Sequence, residues 1–292
     1  MTPSDPAPDL SGVTVALLRN PERASEMAAE LGRRGARVLN VPLIDWELPA
    51  DTSTLDDRLR AASTYDWVLL TSVTTVRVLA QRAEALGFSL PVLLAPARVA
   101  AVGAATQREL ERVGVVVDLV PEQDQSAVGL LSVLPEGTPR AGTPRALLPQ
   151  SEIAADTLRA GLADRGWTVD AVSAYATVDY PAAADLRIKA PHTAEPSDSH
   201  EPDGMLSSGE LAAGLRGGAI DAVVLTSPSV AGRLHAMMGQ LPGHVATAAI
   251  GRRTAQDAAK LGLRIDAVAS MPGPAGIADA VAAAVAHQRK KR

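Results

Sequence analysis

The sequence predicts an α/β protein of two similar domains, each a parallel sheet flanked by helices. Three observations predict it. Short apolar runs alternate with longer segments whose apolar residues recur at helical spacing, the pattern of strands buried on both faces beneath crossover helices. The plan is written twice: Tyr65-Asp66-Trp67-Val68-Leu69-Leu70-Thr71-Ser72 is matched by Ile220-Asp221-Ala222-Val223-Val224-Leu225-Thr226-Ser227, and Val99 to Thr106 by Ala248 to Thr254. A chain of 292 residues, 47% of them apolar, is long enough and rich enough in core for two domains.

Taken in order, Val13–Leu18 reads as a buried strand and Arg19-Asn20-Pro21 as a turn. Glu22 to Arg34 is a helix with Ala24, Met27, Ala28 and Leu31 on one face, ended by Gly35. Arg37–Val41 is the second strand. Trp67–Leu70 is a strand between Asp66 and Thr71, followed by a helix from Val73 to Leu86. A strand then ends at Gly103, a helix runs from about Thr106 to Gly114, and Val115–Val120 is the last strand of this stretch. After the turn-rich loop Pro135–Pro144 come a strand, Arg145–Leu148, a helix, Ser151 to Arg165, stopped by Gly166, and a strand beginning Trp167–Asp170. Residues 181–209 are polar and Pro-rich and read as a mobile surface insertion. The closing stretch repeats the earlier one: strand Ala222–Leu225, helix Ser229 to Met238, a strand ending at Gly251, a helix from about Thr254 to Gly262, and strand Ile265–Ala269. The order is thus four units, A (13–41), B (65–120), A′ (143–170, which repeats the plan of A) and B′ (220–269, which repeats B). Either A pairs with B and A′ with B′, or B and A′ form an inner domain while A and B′ form an outer, discontinuous one. Periodicity admits both.

Composition removes several function classes. Aromatic residues are 2% of the chain and the formal charge is −5, so neither a base-stacking platform nor a basic face for nucleic acid is expected. Arg289–Arg292 reads as a solvated helix end whose charge suits the macrodipole. The chain holds no cysteine, which excludes disulfides, thiolate catalysis and Cys-bound zinc. His192, His200, His235, His244 and His287 lack metal-ligand spacing, and no metal is expected. Neither G-x-G-x-x-G nor a P-loop nor a G-x-S-x-G elbow occurs. The polar, Pro-rich start at Met1–Asp9 and the lack of a long apolar run lead to the expectation of a soluble, cytoplasmic protein with no membrane partner.

What remains is a set of strand-end turns. In open parallel sheets ligands bind beyond the carboxyl ends of the strands. Thr71-Ser72, Thr226-Ser227, Gly103-x-x-Thr106 and Gly251-x-x-Thr254 are placed there, each opening a helix whose free amides and dipole attract an anion by about 0.3–1 kcal/mol. Ser72, Ser227, Thr106 and Thr254 are either N-caps or ligand contacts; Gly103 and Gly251 serve a tight turn or a close approach. Arg19, after the first strand, is either a solvated turn residue or an anion contact. Two such units suggest one ligand held from both sides.

The run Thr226-Ser227-Pro228-Ser229 through Leu234, followed by Ala248-Ala249-Ile250-Gly251-x-x-Thr254-Ala255 and a helix ending at Gly262, resembles uroporphyrinogen-III synthase. So do the opening strand with Arg19-x-Pro21, the helix ending at Gly35, and Tyr175-Ala176-Thr177 after Val169–Val172; together they cover roughly residues 13–282. The insertion at 181–209 has no counterpart in that pattern. Leu18 stands where the family often has Thr, and Arg253 precedes Thr254. The resemblance implies flavodoxin- or Rossmann-like domains in the swapped arrangement, 1–41 plus 178–292 outer and 42–177 inner, joined by a two-stranded ladder of Val38–Trp46 and Val169–Tyr180. It implies a cofactor-independent monomer that cyclises hydroxymethylbilane, handed over from hydroxymethylbilane synthase, to uroporphyrinogen III with loss of water and inversion of ring D. Tyr175 would assist the departing hydroxyl, while Arg19, Ser72, Gly103, Thr106, Ser227, Gly251 and Thr254 would bind substrate. The alternative from another class is a non-catalytic two-domain sensor of a small anion. The ratio of isomers III and I made from hydroxymethylbilane separates the two.

Overall fold

The computed structural model describes residues 9–135, 142–188, 205–271 and 273–291. Most of the expected loop Pro135–Pro144 (136–141), most of the expected insertion (189–204), and with it His192 and His200, lie outside the described residues.

The chain begins β1 (Thr14–Leu18), α1 (Pro21–Arg33), β2 (Arg37–Asn40), β3 (Ile44–Glu47) and α2 (Ser53–Arg60). It continues through β4 (Trp67–Leu70), α3 (Val73–Ala85), α4 (Leu90–Leu94), β5 (Arg98–Ala101), α5 (Ala104–Arg112) and α6 (Ala127–Val133). Then come β6 (Arg145–Ser151), α7 (Thr157–Ala163), β7 (Thr168–Asp179) and α8 (Ser208–Gly217). Last are β8 (Ala222–Leu225), α9 (Pro228–Met238), β9 (Ala246–Ala249), α10 (Arg252–Lys260), β10 (Ala267–Val268) and α11 (Pro274–Arg289). The described residues fall into two compact units, within the spans Met1–Asp45, Asp179–Pro181 and Ser197–Arg292 for one and Trp46–Val178 and Ala182–Pro196 for the other.

The first unit holds a sheet of order β10-β9-β8-β1-β2, and the pairs are parallel. It joins strands from both ends of the chain, because β1 lies between β2 and β8. Alternation divides its residues: Val15, Leu17, Ala222, Val224, Ala246 and Ala248 form one core with α1 and the Ala-rich face of α11. Their neighbours Ala16, Leu18, Val223 and Leu225 are fully buried on the other face, where α9 and α10 pack. The second unit holds the sheet β3-β7-β6-β4-β5. Its Val68, Leu70, Val99 and Leu147 face α2 to α5, and its Leu69, Ala100, Ala146 and Leu148 face α6 and α7. Each buried Leu or Val contributes about 1.5–3 kcal/mol by leaving water.

Aspartates fasten the amino-terminal edges of both sheets in the same way. The carboxylate of Asp66 accepts the Arg145 N–H at 2.9 Å and that of Asp221 accepts the Thr14 N–H at 2.8 Å, each the first amide of the neighbouring strand. Asp118 and Asp266 likewise accept the Val99 and Thr247 amides at 2.7 and 3.0 Å. The doubling in the sequence is therefore a doubling of hydrogen bonds as well as of strands.

Several expected boundaries move. The helix expected over Ser151–Arg165 shrinks to α7, because Ser151 extends β6 to pair with Tyr175 and the chain then turns, with Ala154 N–H donating to Ser151 at 3.0 Å. The strand expected over Val115–Val120 is a single bridge between Ala100 and Leu119, and that over Ile265–Ala269 is reduced to β10. Val38 belongs to β2 in the first sheet, so the strand beside β7 starts later, at Ile44. The flanks of the expected insertion are tied down. Leu48 N–H donates to Leu186 at 2.8 Å, Glu47 and Arg187 form an antiparallel bridge, and Leu206 N–H donates to Asn40 at 3.1 Å.

Candidate functional site

The carboxyl end of the second unit's sheet brings together two candidates that lie 103 positions apart. Ser72 follows β4 and is the N-cap of α3; its Oγ accepts the Thr75 N–H at 3.0 Å. Oγ also lies 2.9 Å from Thr75 Oγ1 and 3.3 Å from the Tyr175 hydroxyl. Tyr175 reaches this point through a slip in the ladder. Gln150 pairs with Ser173 but Ser151 pairs with Tyr175, so β7 carries one extra residue there. Bulges of this kind re-aim a side chain. Here Val172, Ala174 and Tyr175 all join the same core, which strict alternation forbids. Tyr175 is 8% exposed and Thr75 fully buried.

Gly103 and Gly251 are the N-caps of α5 and α10, both in extended backbone, so the helices begin two residues before the expected Thr106 and Thr254. Both threonines are third helical residues and buried, with side chains turned into the fold rather than serving as caps. The two glycines differ in surroundings. A Cβ on Gly103 would stand 2.6 Å from Gln125 Oε1, which accepts the Ala104 N–H at 3.2 Å. A Cβ on Gly251 would meet no heavy atom of the described residues within 4 Å. The α5 amino terminus is thus already served by a side chain, and among the described residues no side chain caps α10. Ser227 caps α9, its Oγ accepting the Val230 N–H at 3.2 Å ahead of Pro228, and Thr226 donates to the Leu18 carbonyl at 2.8 Å.

Arg19 follows β1 and is half-buried. Its Nε is enclosed with no hydrogen-bond partner among the described residues, and burial lowers its pKa. With its amide turned to satisfy both partners, Asn40 donates to the Leu17 and Arg19 carbonyls at 3.2 and 2.9 Å and fixes this turn. A half-buried cation with an unpaired N–H is unfavourable until an anion meets it.

Sequence reasoning missed Thr75 and Gln125. The spacing Ser72-x-x-Thr75 at a helix start was a readable sign; nothing local marks Gln125. Among the described residues no group of three His, Asp or Glu could hold a metal ion, and no helix is long and apolar enough to cross a membrane.

Residues 25–279 match the family model described as uroporphyrinogen-III synthase HemD. The chain is 30% identical over 167 residues to a uroporphyrinogen-III synthase of Synechococcus elongatus, a match covering 57% of this chain and 61% of that protein. It is also 30% identical over 225 residues to a putative uroporphyrinogen-III synthase of Methanothermobacter thermautotrophicus, covering 77% of this chain and 78% of that one. The chain thus spans about three fifths of the Synechococcus relative. In fold it is similar to a crystal structure of a mutant uroporphyrinogen III synthase from Thermus thermophilus, with a TM-score of 0.63, 23% identity, and coverage of 96% of this chain and 100% of that chain. The uroporphyrinogen-III synthetase of Helicobacter pylori is similar at a TM-score of 0.54 and 13% identity, over 96% of this chain and 100% of that chain.

Proposed function

The chain belongs to the uroporphyrinogen-III synthase family, and from that membership we propose that it is a hydro-lyase that closes hydroxymethylbilane to uroporphyrinogen III with inversion of ring D. One observation carries the residue-level reading: the fold bends β7 so that Tyr175, from a distant strand, meets Ser72 where a helix opens at the carboxyl end of the sheet.

The chemistry asks mainly for positioning. The hydroxymethyl C–O bond breaks with its electron pair staying on oxygen. Tyr175 gives that oxygen its phenolic proton, and water leaves. The pyrrole nitrogen's lone pair completes an azafulvene cation, which attacks the substituted carbon of ring D; the spiro intermediate reopens and closes inverted. The proton released when the last ring re-aromatises returns to the phenolate, so the residue is restored. A hundredfold preference for isomer III over end-to-end closure needs only about 2.7 kcal/mol of differential transition-state stabilisation.

The substrate's carboxylates are assigned to the amino termini of α3, α5, α9 and α10, at Ser72, Gly103, Thr106, Ser227, Gly251 and Thr254, and to Arg19. Backbone amides do most of this work, because the side chains of Thr106 and Thr254 are buried and Ser227 already caps its helix. The reading takes residues 1–41 plus 178–292 and residues 42–177 as the two bodies of the enzyme, except that 42–45 group with the first and 178 and 182–188 with the second. A monomer in the cytoplasm, supplied by hydroxymethylbilane synthase, completes it.

The test is product analysis with enzymatically generated hydroxymethylbilane. Isomer III is expected in excess, and Tyr175→Phe is expected to slow its formation about a hundredfold. Product made only of isomer I returns the chain to the sensor reading. A Tyr175→Phe variant with wild-type rate and isomer ratio removes Tyr175 from the chemistry.

A further inference from the structure

We infer that Thr75 and Ser72 form a hydroxyl chain of fixed direction that holds Tyr175 as an outward proton donor. The inference rests on the reading of Tyr175 given above and adds two positioning residues to it.

The direction follows from counting donors and acceptors. The Ser72 hydroxyl has two lone pairs and one proton. One lone pair takes the Thr75 N–H at 3.0 Å. One lone pair and one proton remain for two neighbours, Thr75 Oγ1 at 2.9 Å and the Tyr175 hydroxyl at 3.3 Å. Thr75 is 0% exposed, and Ser72 Oγ is the partner of its hydroxyl. If Ser72 donated to Thr75, the Thr75 proton would be buried without an acceptor among the described residues, which is costly. Thr75 therefore donates to Ser72. Both lone pairs of Ser72 are then filled from one residue, and its single proton goes to the phenolic oxygen of Tyr175.

Two consequences meet at Tyr175. Its oxygen accepts from behind, so its own proton is left for an acceptor outside the chain; no acceptor among the described residues takes it. As that proton moves to the departing hydroxyl, negative charge builds on an oxygen that already receives the Ser72 O–H, a charge-assisted bond that strengthens in the transition state. The Ser72 hydroxyl is fully used in this arrangement, so it acts behind the tyrosine, and a carboxylate at the α3 terminus is met by backbone amides alone.

The test uses the full chain labelled with 13C at tyrosine Cζ. The sequence has three tyrosines, and Tyr175→Phe assigns the resonance. The Tyr175 signal is expected to shift in Ser72→Ala. It is also expected to shift in Thr75→Val, which keeps the helix cap but releases the direction of the chain, and to return in Thr75→Ser. A signal unmoved by both Ser72→Ala and Thr75→Val overturns the chain, whether or not the protein turns substrate over. In the isomer-resolved assay Ser72→Ala is expected to lose about tenfold in kcat with KM within about twofold. The Ser72→Ala/Tyr175→Phe double variant should be no slower than Tyr175→Phe alone. Losses that multiply, or a raised KM at unchanged kcat, overturn the proposal. Wild-type turnover by Tyr175→Phe would sink the proton-donor reading, while a shifted resonance would leave the hydroxyl chain standing.

Discussion

Arg19 is the residue whose placement costs stability without an evident structural return. Its guanidinium is half enclosed, its Nε meets no partner among the described residues, and desolvation weakens its hold on its proton. A side chain of similar length without the charge should relieve this. Arg19→Met is expected to raise Tm by about 2–4 °C while raising KM for the carboxylated substrate several-fold, read by calorimetry and by initial rates. A variant that loses stability and keeps KM would mark Arg19 as a packing residue. Its position after the first strand was legible in the sequence. Its half-burial was not, because the exposure of a turn side chain is set by what packs around it in the folded unit.

At the scale of elements, the first strand of each doubled segment was legible to the residue, as at Trp67–Leu70 and Ala222–Leu225, while the last, at 115–120 and 265–269, was overdrawn. Buried parallel strands are short apolar runs, and little competes with that signal. The failures have particular causes. Ser151 looked like a helix start, but the slip beside Tyr175 drew it into β6. The helix at Ser208–Gly217 was hidden by the Pro-rich composition before it, although Ser207 and Glu210 form a full capping box. The matched turns at Gly103 and Gly251 looked alike in sequence and are not. Both glycines are extended N-caps, so replacement by Ala removes the same cap preference from each. The Cβ at position 103 also strikes Gln125, and that at 251 strikes nothing. Moving the exposed Gln125 aside gives up its bond to the Ala104 amide, so Gly103→Ala is expected to cost about 0.5–1.5 kcal/mol more than Gly251→Ala, measured by denaturant titration. Equal costs would mean that Gln125 swings aside freely.

For the whole molecule, the two units carry different titrating groups, and alkaline pH should tell them apart. Burial, then the hydrogen bond to Asp170 at 2.6 Å, pushes the Tyr65 phenol from its ordinary 10.0 up to about 12. The unfolded chain releases this proton near its ordinary value, while the folded unit holds it to the higher one. The contribution is thus full below pH 10 and is lost as pH rises through about 12. Calorimetry across that window is expected to show the transition of the unit containing Tyr65 falling away from that of its companion, and Tyr65→Phe should flatten the dependence. A single transition that moves intact would contradict it.

The pairing of β1 with β8 also has a consequence in time. The Thr14 amide bonds the Asp221 carboxylate across 207 positions of sequence. At about 5–20 residues per second of synthesis, β1 waits roughly 10–40 s for its neighbour to be made. The residues of the second unit emerge and can fold in that interval. The first unit is thus the last to close, and until then one long edge of its opening strand is a nascent, unpaired β-edge for chaperones to guard.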